Sequence, residues 1–212
     1  MVIAIDGPAG AGKSSVAKAL AERLGFTYLD SGAMYRCIAL ACLERGVDPD
    51  DSIAAGRLAV ELEIDPGPGM VLLDGLDVTS RIRTEEVTEA ASRISAHPAV
   101  REVMVGAQRD LISSGRYVAE GRDIGTVVSP DSPLKVFLTA SPEVRAARRA
   151  REAGAEAEAV RDSIERRDRR DSSRDHGRLE VAEDAIEFDT SDLGIEEVVD
   201  RLAELAAERG IA

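Results

Sequence analysis

The chain has 212 residues, 44% apolar and 32% charged, enough for one well-buried domain with appendages and short for two independent ones. Its net charge of −13 argues against nucleic acid as the main partner, and no apolar run approaches the ~18 residues of a membrane span. No signal peptide precedes the first apolar run, so a cytoplasmic protein is expected, and the two cysteines, Cys37 and Cys42, match no metal or redox spacing and read as apolar filler.

The first element is the apolar run Val2-Ile3-Ala4-Ile5-Asp6, a buried strand. It leads into Gly7-Pro8-Ala9-Gly10-Ala11-Gly12-Lys13-Ser14, a G-x-x-x-x-G-K-[ST] pattern between strand and helix. In that context the glycines let the backbone wrap a polyphosphate while successive N–H groups point inward at a helix start. Lys13 is expected on the β- and γ-phosphates and the Ser14 hydroxyl on Mg²⁺, with Ser15 completing the ATP-binding set. The competing reading is a flexible Gly/Ala turn before an ordinary helix. The strand-loop-helix context favours a bound nucleoside triphosphate.

Helix follows over Val16–Leu24 with Gly25 as its stop, then a short strand over Thr27–Leu29. A second helix is expected from about Ala33 to Arg45, closed by Gly46, and a third over Asp51–Leu62. The texture then changes to Glu63–Asp65, a Pro66-Gly67-Pro68-Gly69 turn, Met70–Leu73, and Asp74-Gly75 ahead of Leu76–Val78, a small antiparallel meander. Two helices follow near Glu85–Ser95 and Ala99–Ser113, then strands at Tyr117–Ala119 and Leu134–Leu138. Helices at Pro142–Arg151 and Glu156–Arg170, a strand at Ala185–Phe188 and an amphipathic helix at Ile195–Glu208 complete the chain. The alternation predicts an α/β fold, a parallel sheet wrapped by helices, with ligands at the carboxyl ends of the strands.

Three further segments carry chemistry. Asp30-Ser31-Gly32, with Tyr35 and Arg36, lies past a strand end, where a hydroxyl and a guanidinium could grip a second phosphate; an N-cap role for Asp30 or Ser31 is compatible with this. Glu120-Gly121-Arg122-Asp123-Ile124-Gly125-Thr126 is a strand-end loop that presents an adjacent Arg and Asp to a ligand, or else a solvated turn with an internal ion pair. On a helix, Arg167, Asp171 and Arg174 share one face, as a phosphate-and-ribose grip or as ordinary surface ion pairs; spacing does not choose between these.

The arginines are unevenly distributed. Eleven of the 24 fall between Arg145 and Arg178, a segment that is +3 while the remainder is −16. Arg145, Arg148, Arg149 and Arg151 crowd one helix and would repel one another unless something negative sat between them. A triphosphate under a closing lid would supply it, and pairing with Glu152 and Glu156 is the plainer account. His97 and His176 read as structural or exposed.

Together these segments resemble the bacterial cytidylate (CMP/dCMP) kinases, a branch of the P-loop nucleoside monophosphate kinases, along essentially the whole chain. The sharpest stretches are Ile5–Ser14, Leu29–Arg36, Ile82–Val87, Glu120–Val128 and Arg167–Arg174. The resemblance implies a single P-loop kinase domain: a core at about 1–32, 115–144 and 180–212, a monophosphate-binding subdomain at about 33–114 with an antiparallel insert at about 63–79, and a mobile Arg-rich lid at about 145–178. It implies Lys13, Arg36, Arg122 and Arg174 as catalytic residues. Ser31, Arg36 and Arg122 would hold the acceptor phosphate, Ser92, Arg101 and Asp123 would read the base, and Arg167, Asp171 and Arg174 would meet sugar and phosphates. The base set makes independent sense, since cytosine offers an amine to a carboxylate and two acceptors to Arg and a hydroxyl. One departure is Glu120, where many relatives have Asp, which leaves the metal's outer shell open.

The implied reaction is in-line transfer of the ATP γ-phosphoryl group to CMP or dCMP with Mg²⁺. The expected partners are these small molecules, with no nucleic acid and no membrane, on a monomer, although oligomeric state has no sequence signature here. Rival readings are a P-loop kinase for UMP, AMP or another metabolite, and a regulatory NTP-binding module. Against a guanine-specific switch, neither Lys18 nor Lys135 sits in an Asn/Thr-Lys-x-Asp setting.

Overall fold

The structure is a computed structural model that describes residues 1–67 and 69–211, so Pro68 of the expected Pro66–Gly69 turn lies outside the described residues. In chain order the strands are β1 (Val2–Asp6), β2 (Thr27–Asp30), β3 (Ile64–Asp65), β4 (Leu72–Leu73), β5 (Leu76–Asp77), β6 (Tyr117–Gly121), β7 (Leu134–Thr139) and β8 (Ile186–Asp189). The α-helices are α1 (Lys13–Leu24), α2 (Ser31–Arg45), α3 (Ser52–Glu61), α4 (Glu85–Ile94), α5 (Pro98–Ile112), α6 (Pro142–Ala153), α7 (Ala157–Ser172) and α8 (Ile195–Glu208). They form two compact units, one of residues 1–28 and 112–212, the other of residues 29–111.

The larger sheet runs β2-β6-β1-β7-β8, and β1 pairs in parallel with both β6 and β7. A strand flanked on both sides and covered on both faces is largely apolar, here Val2 to Ile5 with Asp6 at its end. That explains why Val2–Asp6 is buried along its whole length instead of alternating. Ile3, Ile5 and Val118 share one face and pack with Val16 and Leu20 of α1 and Val198 and Leu202 of α8. The helix α1 begins at Lys13, three residues before the expected start, because the glycine-rich loop feeds directly into it. It stops at Gly25, as expected.

In the second unit, the Asp30 side chain accepts the Ala33 amide at 2.8 Å and so caps α2, which therefore starts at Ser31. Asp51 caps α3 and Thr84 caps α4 in the same manner. The meander is present as β3, β4 and β5, antiparallel and two residues each, shorter than expected. Asp74 and Gly75 join β4 to β5 with both residues at positive φ, the mirror-image turn that matches strand twist. No helix among the described residues is long and apolar enough to cross a membrane.

Candidate active site

The strand β1 delivers the chain into the Gly7–Ser14 loop, and α1 leaves it with Ser14 and Ser15 exposed in the first helical turn. Gly10 sits at φ +77°, and a Cβ there would fall 2.7 Å from the Arg145 carbonyl oxygen, so α6 comes as close as only glycine allows. Lys13 is buried and its Nζ donates to the Pro8 carbonyl at 2.8 Å. Burial pulls its ammonium down to about 7, the Arg122 and Arg167 charges push the same way, and Glu120 and Asp6 oppose them. Burial and two neighbouring guanidinium charges make this ammonium a site where an anionic ligand is favoured.

The helix α6 meets the outside of the loop. Arg145 Nη1 donates to the Ala9 carbonyl at 3.0 Å, and Arg148 donates to the Thr190 hydroxyl and carbonyl at 2.8 and 2.6 Å and to the Ala11 carbonyl at 3.4 Å. Arg149 pairs with Glu152 at 3.1 Å. The crowding of arginines on this helix is thus met in large part by backbone carbonyls, which sequence spacing alone does not show.

Beside the loop, Asp6 accepts the Ile124 and Gly125 amides at 2.9 and 2.8 Å. Burial pushes its carboxyl up to about 6 against these two bonds. The expected loop after β6 therefore continues into a π-helical turn, Ile124–Val128, that starts on the Asp6 carboxylate. Glu120 is buried at the end of β6 and accepts the Tyr28 phenol at 2.5 Å. Its electrostatic coupling to Lys13 places a negative charge near that ammonium.

Arg122 donates through Nε to Asp171 at 2.8 Å, and Arg174 bonds the other oxygen of the same carboxylate. Burial would raise the Asp171 carboxyl, but the Arg122, Arg174 and Arg167 guanidinium groups outweigh it and hold the group below its ordinary range. Asp171 and Arg174 are both buried, which rules out a solvated surface face. Arg174 also lies beyond α7, which ends at Ser172, so the chain turns to bring it back to Asp171. Asp123 is buried next to Arg122.

The second unit contains the other expected residues. Arg36 donates to Asp30 at 2.7 Å and Arg83 to the same oxygen at 2.9 Å, while Ser31 is buried in the first turn of α2. Burial pushes the Asp30 carboxyl up, and the two arginines and the Ala33 amide overcome it, leaving it low. Arg83 belongs to a quoted motif but carried no expected role; its closeness to Asp30, 53 residues away in the chain, has no local signature. Arg101 is buried with its guanidinium 6.0 Å over the Tyr35 ring and donates to the Ser95 carbonyl at 3.5 Å. Ser95 in turn donates to the Ser92 carbonyl, which ties that turn to buried Ser92.

The parallel sheet, the glycine-rich loop closing on a lysine and the buried guanidinium groups define a P-loop kinase fold. A gluconokinase from Sinorhizobium meliloti superposes with a TM-score of 0.51 at 18% identity, over 98% of this chain and 94% of its own. The sequence model of the cytidylate kinase family matches residues 3–208. The cytidylate kinase of Mycobacterium avium is 49% identical over 99% of this chain and 96% of its own length. That of Geobacillus sp. WCH70 is 49% identical over 98% and 96%. The chain belongs to the cytidylate kinase family.

Proposed function

We propose that the chain transfers the γ-phosphoryl group of ATP in line to the α-phosphate of CMP or dCMP, giving ADP and CDP or dCDP. An α-phosphate oxygen of the acceptor forms the new bond to the γ-phosphorus as the bond to the β,γ-bridging oxygen breaks. The attacking oxygen is already anionic, so no general base is needed, and catalysis is alignment and charge neutralisation. The observation that carries this reading is the glycine-rich loop ending on buried Lys13, in the same unit as Arg122 and Arg174 bonded to one Asp171 carboxylate.

In this reading Gly7 to Ser15 hold ATP, and Lys13, Arg36, Arg122 and Arg174 neutralise the transferring group. Ser31, Arg36 and Arg122 take the acceptor phosphate, Ser92, Arg101 and Asp123 the cytosine edge, and Arg167, Asp171 and Arg174 the sugar and phosphates. The exposed Ser14 hydroxyl in the first turn of α1 is an oxygen donor of the kind Mg²⁺ accepts. When bound, the ion supplies further neutralisation of the phosphates. Residues 33–114 serve as the monophosphate-binding subdomain, and closure of the segment 145–178, with Arg145, Arg148 and Asp168 remaining bonded to the loop, excludes water that would otherwise hydrolyse ATP. The reading also makes the enzyme a cytoplasmic monomer, with no nucleic-acid or membrane partner.

A coupled assay of ADP release on adding CMP, dCMP, UMP, AMP or water tests it. CMP and dCMP should dominate; a preference for AMP, or release independent of acceptor, overturns it.

A further inference from the structure

The peptide groups of the Gly7–Ser14 loop are held from behind. Arg145 Nη1 donates to the Ala9 carbonyl at 3.0 Å, its Nε donates to the Ala140 carbonyl at 3.2 Å, and it forms an ion pair with Asp168. The other oxygen of Asp168 accepts the Ala9 amide at 3.1 Å. Ala9 is thus gripped on both sides by one acid–base pair, and it packs on Ala146 and Ile164 of the same two helices. One peptide further on, the Ala11 carbonyl accepts the Thr190 hydroxyl at 3.2 Å as well as Arg148 at 3.4 Å.

In a trans peptide the C=O and the following N–H point in opposite directions. Holding the Ala9 and Ala11 carbonyls outward against α6 therefore turns the Gly10 and Gly12 amides away from α6. We propose that Arg145, locked by Asp168, is a positioning residue of the phosphate cradle: it orients the Ala9–Gly10 peptide so that the Gly10 amide faces the donor phosphates. Arg148 and Thr190 repeat the device for Ala11–Gly12. The inference rests on the donor reading above. It differs from a lid arginine that touches phosphate, because here Nε and Nη1 both donate to carbonyls and a carboxylate of the protein itself.

This distinction sets the experiment. Arg145→Lys keeps the charge but cannot serve the Ala9 carbonyl, the Ala140 carbonyl and Asp168 together. Arg145→Lys, Arg145→Ala and Asp168→Asn are compared with the wild-type chain. The readouts are kcat, the KM for ATP, the KM for CMP, and the Kd of a fluorescent ATP analogue, with thermal melts on each variant. Both Arg145 variants should weaken the ATP KM and the analogue Kd by about tenfold, as expected when a partly buried hydrogen-bonding unit is broken, with the CMP KM held within about twofold. Asp168→Asn keeps an oxygen for the Ala9 amide and should fall between them and the wild type. Full donor affinity in Arg145→Lys would overturn the proposal, because charge alone would then suffice. So would equal weakening of ATP and CMP, or tighter analogue binding in Asp168→Asn. Should Arg145→Ala fail to fold, Arg145→Lys and Asp168→Asn decide the question. Analogue binding needs no acceptor, so a wrong acceptor assignment would appear in the wild-type turnover and leave this comparison standing.

Discussion

Arg36 donates to the Asp30 carboxylate at 2.7 Å, from the helix that the same carboxylate caps. Asp30 thereby starts α2 and fixes the arginine one and a half turns along it, while Arg83 binds the same oxygen at 2.9 Å. Asp30→Asn should destabilise the protein by about 3 kcal/mol, since it leaves a largely buried guanidinium without its counter-charge. The pH sign follows from the lowered carboxyl. A depressed acid stabilises the fold above its unfolded pKa, and that contribution disappears as pH falls through the folded value. The gap in urea midpoint between wild type and variant should therefore be narrower at pH 3 than at pH 7.

Arg36 is also the residue most directly open to a test of acceptor use. Arg36→Ala should lower kcat/KM for CMP by about 100-fold, the scale of a lost charge-assisted phosphate contact, while the Kd for an ATP analogue stays within about twofold. Unchanged turnover of CMP in a coupled assay would remove Arg36 from the acceptor site.

The parts of this organisation that the sequence made legible are those set by neighbours in the chain. The Val2–Asp6 strand, the loop after it, the stops at Gly25 and Gly46, the Asp74-Gly75 turn and the cap at Asp30 all follow from residue types a few positions apart. What escaped depends on distance in sequence. Asp6 meets Ile124 and Gly125 across 118 and 119 positions, so a loop became a π-helical turn. Arg145 reaches Ala9 across 136, which turned an apparent surplus of arginines into a support for the loop. That Asp171 and Arg174 are buried was equally hidden, because burial is a property that spacing does not carry.

Asp6 supplies a prediction of the opposite pH sign to Asp30. Its carboxyl is raised to about 6, so between the unfolded value near 4 and that pH the folded state binds a proton that the unfolded state does not. Stability contributed at this site therefore falls as pH rises from about 4 to about 6, by about 3 kcal/mol, and is level above that. Asp6→Asn removes the titration but offers a single acceptor to two amides. Against wild type, the variant's relative stability should rise across pH 4 to 6.5 in urea titrations. A constant difference would show that Asp6 titrates as in the unfolded chain.

Asp123 bears on which base the acceptor carries. In the proposed arrangement its carboxylate accepts the exocyclic amine of cytosine, whereas uracil presents a carbonyl there and meets a buried negative charge with a lone pair. Asn in its place can donate as well as accept, so the repulsion against uracil is lifted and the charge-assisted bond to cytosine is lost. A mispaired buried group is worth about 1–3 kcal/mol, so Asp123→Asn should lower the ratio of kcat/KM for CMP over UMP by about 10- to 100-fold. The decisive measurement is that ratio, not the absolute rate, because a general loss of folding or closure lowers both substrates together. A ratio unchanged from the wild type would take Asp123 out of base recognition and leave Ser92 and Arg101 to account for it.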